Sequence, residues 1–153
     1  MSQSLGAVAV GMGCDRGTPL ATLVHALDQA LAGVGASRAQ VKACASISLK
    51  ADEPAMLALG LQEGWVITFY EPAQLARVTV PNPSETVRKY TGTPSVSEAA
   101  ALLAAAAVLG QPQALPVQAL LVEKFKHRGA DGRSATVSLA RCDHFFNQER
   151  SQP

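Results

Sequence analysis

Leu5-Gly-Ala-Val-Ala-Val10, Gly11-Met-Gly-Cys-Asp-Arg-Gly-Thr18 and Pro19-Leu-Ala-Thr-Leu-Val24 form the continuous stretch whose reading decides the fold. Leu5–Val10 reads as a short buried strand. Leu20, Leu23, Val24, Leu27 and Leu31 recur at helical spacing. A helix is therefore expected over Thr18–Gly33, with Thr18 as its N-cap and Pro19 at the first helical position, where a missing N–H costs nothing. Gly11, Gly13 and Gly17 then fall in a strand-to-helix turn. The free N–H groups of a helix start favour an anion, and Arg16 adds a guanidinium that can grip a carboxylate or phosphate through two hydrogen bonds. A tight connection that needs positive φ explains the same glycines without a ligand. The turn lacks the Lys-[Ser/Thr] ending of a P-loop and the spacing of the dinucleotide fingerprint.

Further along, Val41–Leu49 reads as a second strand that ends at Ser48-Leu-Lys-Ala-Asp-Glu-Pro54. Asp52 is the expected cap of the next helix, with Glu53 and Pro54 in its first turn. That helix carries Met56, Leu57, Leu59 and Leu61, and Gly64 stops it. Trp65–Tyr70 is β-branched and aromatic, a third strand, and Pro72–Arg77 is a short helix. Strands alternating with helices predict a parallel sheet with right-handed crossovers. Ligands of such sheets sit beyond the carboxyl ends of the strands, where both the glycine-rich turn and the Lys50–Asp52 turn fall.

Val80-Pro-Asn-Pro-Ser84 interrupts the alternation, because its prolines cannot join a central ladder. Ser84 is expected to cap a short helix through Arg88, and Thr91-Gly-Thr-Pro94 to form a turn. Ser95 and Glu98 have capping-box spacing ahead of a helix that runs to about Leu109. Ala119–Phe125 and Ala135–Arg141 read as a closing hairpin with Asp131-Gly132 in its turn. The expected fold is α/β, a single three-layer domain over residues 5–145. Its sheet is mostly parallel, with helices on both faces and a C-terminal β-hairpin. Residues 1–4 and 146–153 are expected to be a disordered tail and a frayed tail.

Composition narrows the function. Of 153 residues, 48% are hydrophobic and 16% charged, which suits a buried sheet and argues against disorder. The net charge of +1 and the 5% aromatic content argue against nucleic acid as a partner. Cys14, Cys44 and Cys142 are an odd set without close spacing, neither a disulfide framework nor a zinc site, so no metal is expected. The N-terminus has no positive n-region, and the apolar run Ala99–Leu109 is too short to span a bilayer. The expected setting is cytoplasmic, without a membrane or cofactor.

Each chemistry-bearing residue has a plain reading beside its functional one. Cys14 beside Asp15 and Arg16 is a thiol at a helix start, or simply a packed cysteine. Lys50, Asp52 and Glu53 are an acid/base group, or a cap with its neighbours. Asn82, Ser84, Thr93 and Ser95 are polar groups on rigid loops, and capping explains both serines. Lys124 and Lys126 alternate on one strand face, which is also what a solvated strand end looks like. His25 reads as a surface residue, and Cys142-Asp-His144 is a weak metal pattern.

Four of these segments stand in register with a known family. Gly11–Thr18, Leu49-Lys-Ala-Asp-Glu-Pro54, Val80-Pro-Asn-Pro-Ser-Glu85 and Thr91-Gly-Thr-Pro-Ser-Val-Ser-Glu-Ala-Ala100 occur in this order. Glu123-Lys-Phe-Lys126 follows, before Ala135-Thr-Val-Ser-Leu-Ala140. From about Gly6 to Arg141 the chain resembles the CobE and CbiG C-terminal family of cobalamin (corrin ring) biosynthesis. The resemblance implies the stand-alone CobE arrangement, because CbiG carries additional N-terminal sequence. It also implies a site for a corrinoid or precorrin intermediate, and other enzymes of that pathway as partners. Corrin precursors are apolar macrocycles ringed by acetate and propionate groups, so they need anion donors around an apolar floor. The expected ligand-binding set is Gly11, Gly13, Cys14, Asp15, Arg16, Gly17, Thr18, Lys50, Asp52, Asn82, Ser84, Gly92, Thr93, Ser95 and Lys124.

CbiG itself is a hydrolase that opens a precorrin lactone and releases acetaldehyde. The alternative expectation is thus lactone or ester hydrolysis, with Asp15, Asp52 or Glu53 as general base and Arg16 or backbone N–H groups on the oxyanion. A third is a small phosphate- or nucleotide-binding module that uses the first turn alone.

Overall fold

The computed structural model describes residues 6–143; the two expected tails and His144 lie outside them. In the described residues, strands β1 (Val8–Cys14), β2 (Val41–Ile47), β3 (Ile67–Tyr70), β4 (Leu120–Arg128) and β5 (Ser134–Arg141) build one sheet. Its order is β3-β2-β1-β5-β4. β1 pairs in parallel with β2, and β2 with β3, while β5 runs antiparallel to both β1 and β4. Four of the five strands therefore point one way, and the hairpin closes one edge, as the sequence predicts.

Side-chain alternation on β1 decides which helix packs where. Val8, Val10 and Met12 point to one face, against Leu23, Leu27 and Leu31 of α1 (Leu20–Gly33) and Met56 and Leu59 of α2 (Pro54–Glu63). Ala9 points to the other face, against the alanine-rich helix α5 (Val96–Val108), with Leu75 of α3 (Pro72–Ala76) beside it. Helices thus cover both faces. α4 (Glu85–Thr91) buries no residue and sits apart from both layers.

The glycine-rich stretch is not a turn. β1 runs through Gly11 and Gly13 to Cys14. A Cβ on Gly11 would lie 2.0 Å from the Ser97 carbonyl oxygen and 2.5 Å from the Ala101 nitrogen. Gly11 is there so that α5 can rest directly on β1, a role in packing rather than in binding. Only Gly17, at φ +80°, turns the chain. The helix starts later than expected, at Leu20. Pro19 holds the N-cap position in extended conformation, and Thr18 donates its hydroxyl to the Asp15 carbonyl at 2.7 Å.

Candidate functional site

At the C-terminal ends of β1 and β2 the sheet opens into a cavity of about 450 Å³. Gly13, Cys14 and Asp15 line it from the end of β1, and Ile47 and Lys50 from the end of β2. α4 contributes Thr86, Val87 and Tyr90 with Ser84 before them, and the start of α5 contributes Ser95, Val96 and Ser97. The hairpin completes the wall with Lys124, Lys126, Ser134 and Thr136.

The lining combines an apolar floor with cations. Ile47, Val87 and Val96 meet Lys50, Lys124 and Lys126. Asp15 is the one carboxylate among these lining residues, and its Oδ2 accepts the Ser134 N–H at 2.8 Å. Cys14 is not an activated thiol, because burial pushes it above its ordinary 9.0 and outweighs the opposing pull of Lys50.

A set of hydrogen bonds holds the α4 segment over this cavity. The Ser84 N–H donates to the Pro94 carbonyl at 2.9 Å, closing the base of the segment. Ser84 Oγ caps α4 by accepting the Val87 N–H at 3.2 Å, as expected. Gly92, at φ +85°, ends α4. Asn82 donates through Nδ2 to Glu98 Oε2 at 2.6 Å and to Glu123 Oε1 at 2.9 Å. Lys124 Nζ donates to the Asn82 carbonyl at 3.0 Å, which ties β4 to the same loop. Glu98 is fully buried and binds this loop, so the Ser95/Glu98 capping box does not form.

The corner between β1 and β2 is arranged differently. Arg16 Nη1 donates to Asp52 Oδ1 at 2.9 Å, and Nη2 donates to the Leu49 carbonyl at 2.7 Å. Glu53 is fully buried, and its Oε2 accepts the Gly17 N–H at 3.0 Å. Its Oε1 lies 3.0 Å from Arg16 Nη1, an ion-pair contact without hydrogen-bond alignment. Arg16 is therefore a staple between two loops rather than an open anion grip. The hydrogen bond from Arg16 holds the Asp52 carboxyl below its ordinary 3.8. Asp52 does not cap α2, since Glu53 occupies the N-cap position.

Of the expected ligand set, the structure thus brings Gly13, Cys14, Asp15, Lys50, Ser84, Ser95 and Lys124 to the cavity. Gly11 lies beneath α5, and Thr18 is buried on the Asp15 and Ser134 carbonyls. Arg16 and Asp52 pair with each other, and Gly17 binds Glu53. Asn82 serves the loop clamp, Gly92 terminates α4, and Thr93 is buried. Among the expected general bases only Asp15 faces the cavity. With Gly11 and Gly13 in a strand, the phosphate module loses the turn it needed.

The expected ligand set left out Lys126, although it was noted beside Lys124, and did not include Tyr90 or Ser97, all of which line the cavity. Lys126 shares a strand face with Lys124 at period two, a signal that was present. A second concavity of about 430 Å³ lies between α2 and β3, lined by Met56, Leu57, Leu61, Trp65, Ile67 and Phe69 among others, with no charged side chain. No group of three or more His, Cys, Asp or Glu among the described residues is placed to hold a metal ion, and no described helix is long and apolar enough to cross a membrane.

Comparison with known proteins gives this geometry a context. Residues 8–140 match the family model described as cobalamin synthesis G C-terminus. A cobalt-precorrin-5A hydrolase of Priestia megaterium is 42% identical over 96 residues, 63% of this chain and 26% of the hydrolase. Protein CobE of a Sinorhizobium species is 36% identical over 100 residues, 64% of this chain and 65% of CobE. The match thus spans less than two thirds of either relative. The crystal structure of CobE, a protein from the cobalamin biosynthetic pathway, superimposes with a TM-score of 0.71 at 32% identity, covering 87% of this chain and 93% of that one. The cobalamin biosynthesis protein chiG from Agrobacterium tumefaciens shares the fold, with a TM-score of 0.54 at 20% identity over 86% of this chain and 97% of chiG.

Proposed function

This chain belongs to the cobalamin synthesis G C-terminus family, and from that premise we propose that its lysine-lined cavity binds a corrin-ring intermediate of cobalamin biosynthesis. The observation that carries the proposal is the meeting of Lys50, Lys124 and Lys126 over an apolar floor at the strand ends. An apolar macrocycle with carboxylates on its rim needs both halves of that arrangement. The cavity of about 450 Å³ falls within the range of about 300–1,000 Å³ typical of small-molecule sites. With a net charge of +1, attraction comes from the local lysines rather than from a long-range field. In this reading the protein shields the ring or hands it to other enzymes of the pathway.

Hydrolysis of a lactone or ester on the ring is the second reading, favoured by the identity to the cobalt-precorrin-5A hydrolase. Asp15 is the carboxylate that this reading needs, because it lines the cavity while Asp52 and Glu53 do not. It would act as general base toward water.

One experiment separates the two. Corrin-ring acids from before and after ring contraction are titrated anaerobically into the protein, with absorbance, product mass and released acetaldehyde followed together. A saturable spectral shift with unchanged mass supports binding. A change in mass that is lost in Asp15→Asn supports hydrolysis. Neither signal across the series overturns both.

A further inference from the structure

Ser95 and Ser97 both line the cavity from the start of α5, and both are buried. Their hydroxyls are in opposite states. Ser97 Oγ lies 2.8 Å from Ser138 Oγ, and Ser138 Oγ also contacts the Glu123 carbonyl. A hydroxyl has one hydrogen and a carbonyl can only accept. Ser138 therefore gives its hydrogen to Glu123, and Ser97 must give its own to Ser138. Ser97 has no hydrogen left for the cavity.

Ser95 Oγ has no partner among the described residues, although the residue is fully buried. It occupies the N-cap position of α5 without making a cap bond. A buried hydroxyl left unsatisfied is costly, and native structures rarely retain one without a reason. The reason lies in the surroundings. Ser95 opens a helix of 13 residues, whose first-turn N–H groups lack intrahelical acceptors and carry the positive end of the helix dipole. It shares the cavity with Lys50, Lys124 and Lys126. Donors and cations thus converge on one place.

We propose that Ser95 and the first turn of α5 form a carboxylate subsite that takes one ionised side-chain carboxylate of the ring proposed above. The inference rests on that reading and makes it more specific: the ligand is recognised as a free acid. A carboxylate accepts on both oxygens and pairs with lysine. A carboxamide brings an NH₂ group, which would face N–H donors and cations. The protein therefore acts on the ring before an amide-forming reaction consumes the recognised carboxylate.

The test uses two probes, a corrin-ring polyacid and the same ring with its side-chain carboxylates converted to carboxamides. The wild-type protein is expected to bind the acid at least about tenfold more tightly, the size of one charge-assisted hydrogen bond. Ser95→Ala is expected to lose about tenfold on the acid and nothing on the amide. Its melting temperature should not fall, because no cap bond is lost; a marked fall would make Ser95 a structural cap and overturn the proposal. Acetate, at concentrations where equal chloride has no effect, should compete with the acid on wild-type protein, an arm that needs no variant. Equal binding of acid and amide by wild type overturns the subsite and leaves the ring-binding reading standing. Binding of neither ring overturns both. Competition by inorganic phosphate but not by acetate reassigns the anion and overturns the carboxylate proposal.

Discussion

Two corners at the same edge of the sheet carry nearly all of the charge expected to matter, and they have opposite fates. In the β1–α1 and β2–α2 corner, Arg16 pairs with both Asp52 and Glu53, and Glu53 Oε2 accepts the Gly17 N–H, while Glu53 Oε1 keeps only the ion-pair contact. In the cavity corner, where α4 and the start of α5 face the end of β2 and the hairpin, Lys50 and Lys126 meet no carboxylate partner among the described ion pairs, and Ser95 Oγ has no hydrogen-bond partner among the described residues. A cluster of charges in a sequence can be a staple or a site, and pairing in the fold decides which. The closed corner holds loops together. The open corner has binding capacity left over.

The strongest way to break the comparison is to disturb the surface on which both corners rest. Gly11→Ala places a Cβ into the Ser97 carbonyl and the Ala101 nitrogen. Backbone cannot yield as a side-chain tip can, so α5 must lift. The expected loss is about 3 kcal/mol, at the upper end of ordinary overpacking, read as a lower denaturation midpoint in urea. A loss under about 1 kcal/mol would mean that α5 does not sit on β1 as described. The closed corner comes next. Glu53→Ala removes the buried carboxylate that accepts the Gly17 N–H and contacts Arg16, an effect of about 2 kcal/mol for a hydrogen bond to a charged group. Ring affinity of the folded variant should stay within about twofold. Loss of binding at unchanged stability would move the site to the closed corner.

These two residues also show what a sequence can reveal. Helical and strand periodicity exposed the alternation of elements, the covered faces and the hairpin, because burial writes itself into spacing. The glycines misled because Gly11 answers a contact with Ser97 and Ala101, more than eighty residues away, and local pattern contains no trace of it. Arg16 and Asp52 were read one at a time as an anion grip and a helix cap, while the fold spends each on the other. Ser84 was legible because its cap partner lies three residues on. Ser95 looked the same, but its Oγ makes no cap bond and the Glu98 carboxylate is turned to Asn82.

The open corner is sharpened by Lys126→Gln. Lys126 is exposed, so stability should stay within about 0.5 kcal/mol of wild type. Affinity for the ring acid should fall about tenfold, and the salt dependence of binding should weaken. Lys124→Gln should lose affinity too, with some stability, because Lys124 Nζ also holds the Asn82 carbonyl. Unchanged affinity in both variants would remove the hairpin from the site.

Asp52→Asn gives the smallest expected effect and the finest test. Asp52 and Arg16 form an exposed pair, and such pairs contribute little at neutral pH. Arg16 holds the Asp52 carboxyl below its ordinary 3.8 in the folded protein. A depressed carboxyl binds fewer protons folded than unfolded. Its stabilisation is therefore present above the ordinary carboxylate range and is lost as pH falls through the lowered folded value. Wild type and Asp52→Asn should thus differ slightly at pH 7 and converge in strong acid, as followed by urea unfolding across pH. Ring affinity at pH 7 should be unchanged throughout. A variant that keeps its stability but loses the ring would show that the Arg16 guanidinium reaches the ligand, and the division between the closed and the open corner would fall.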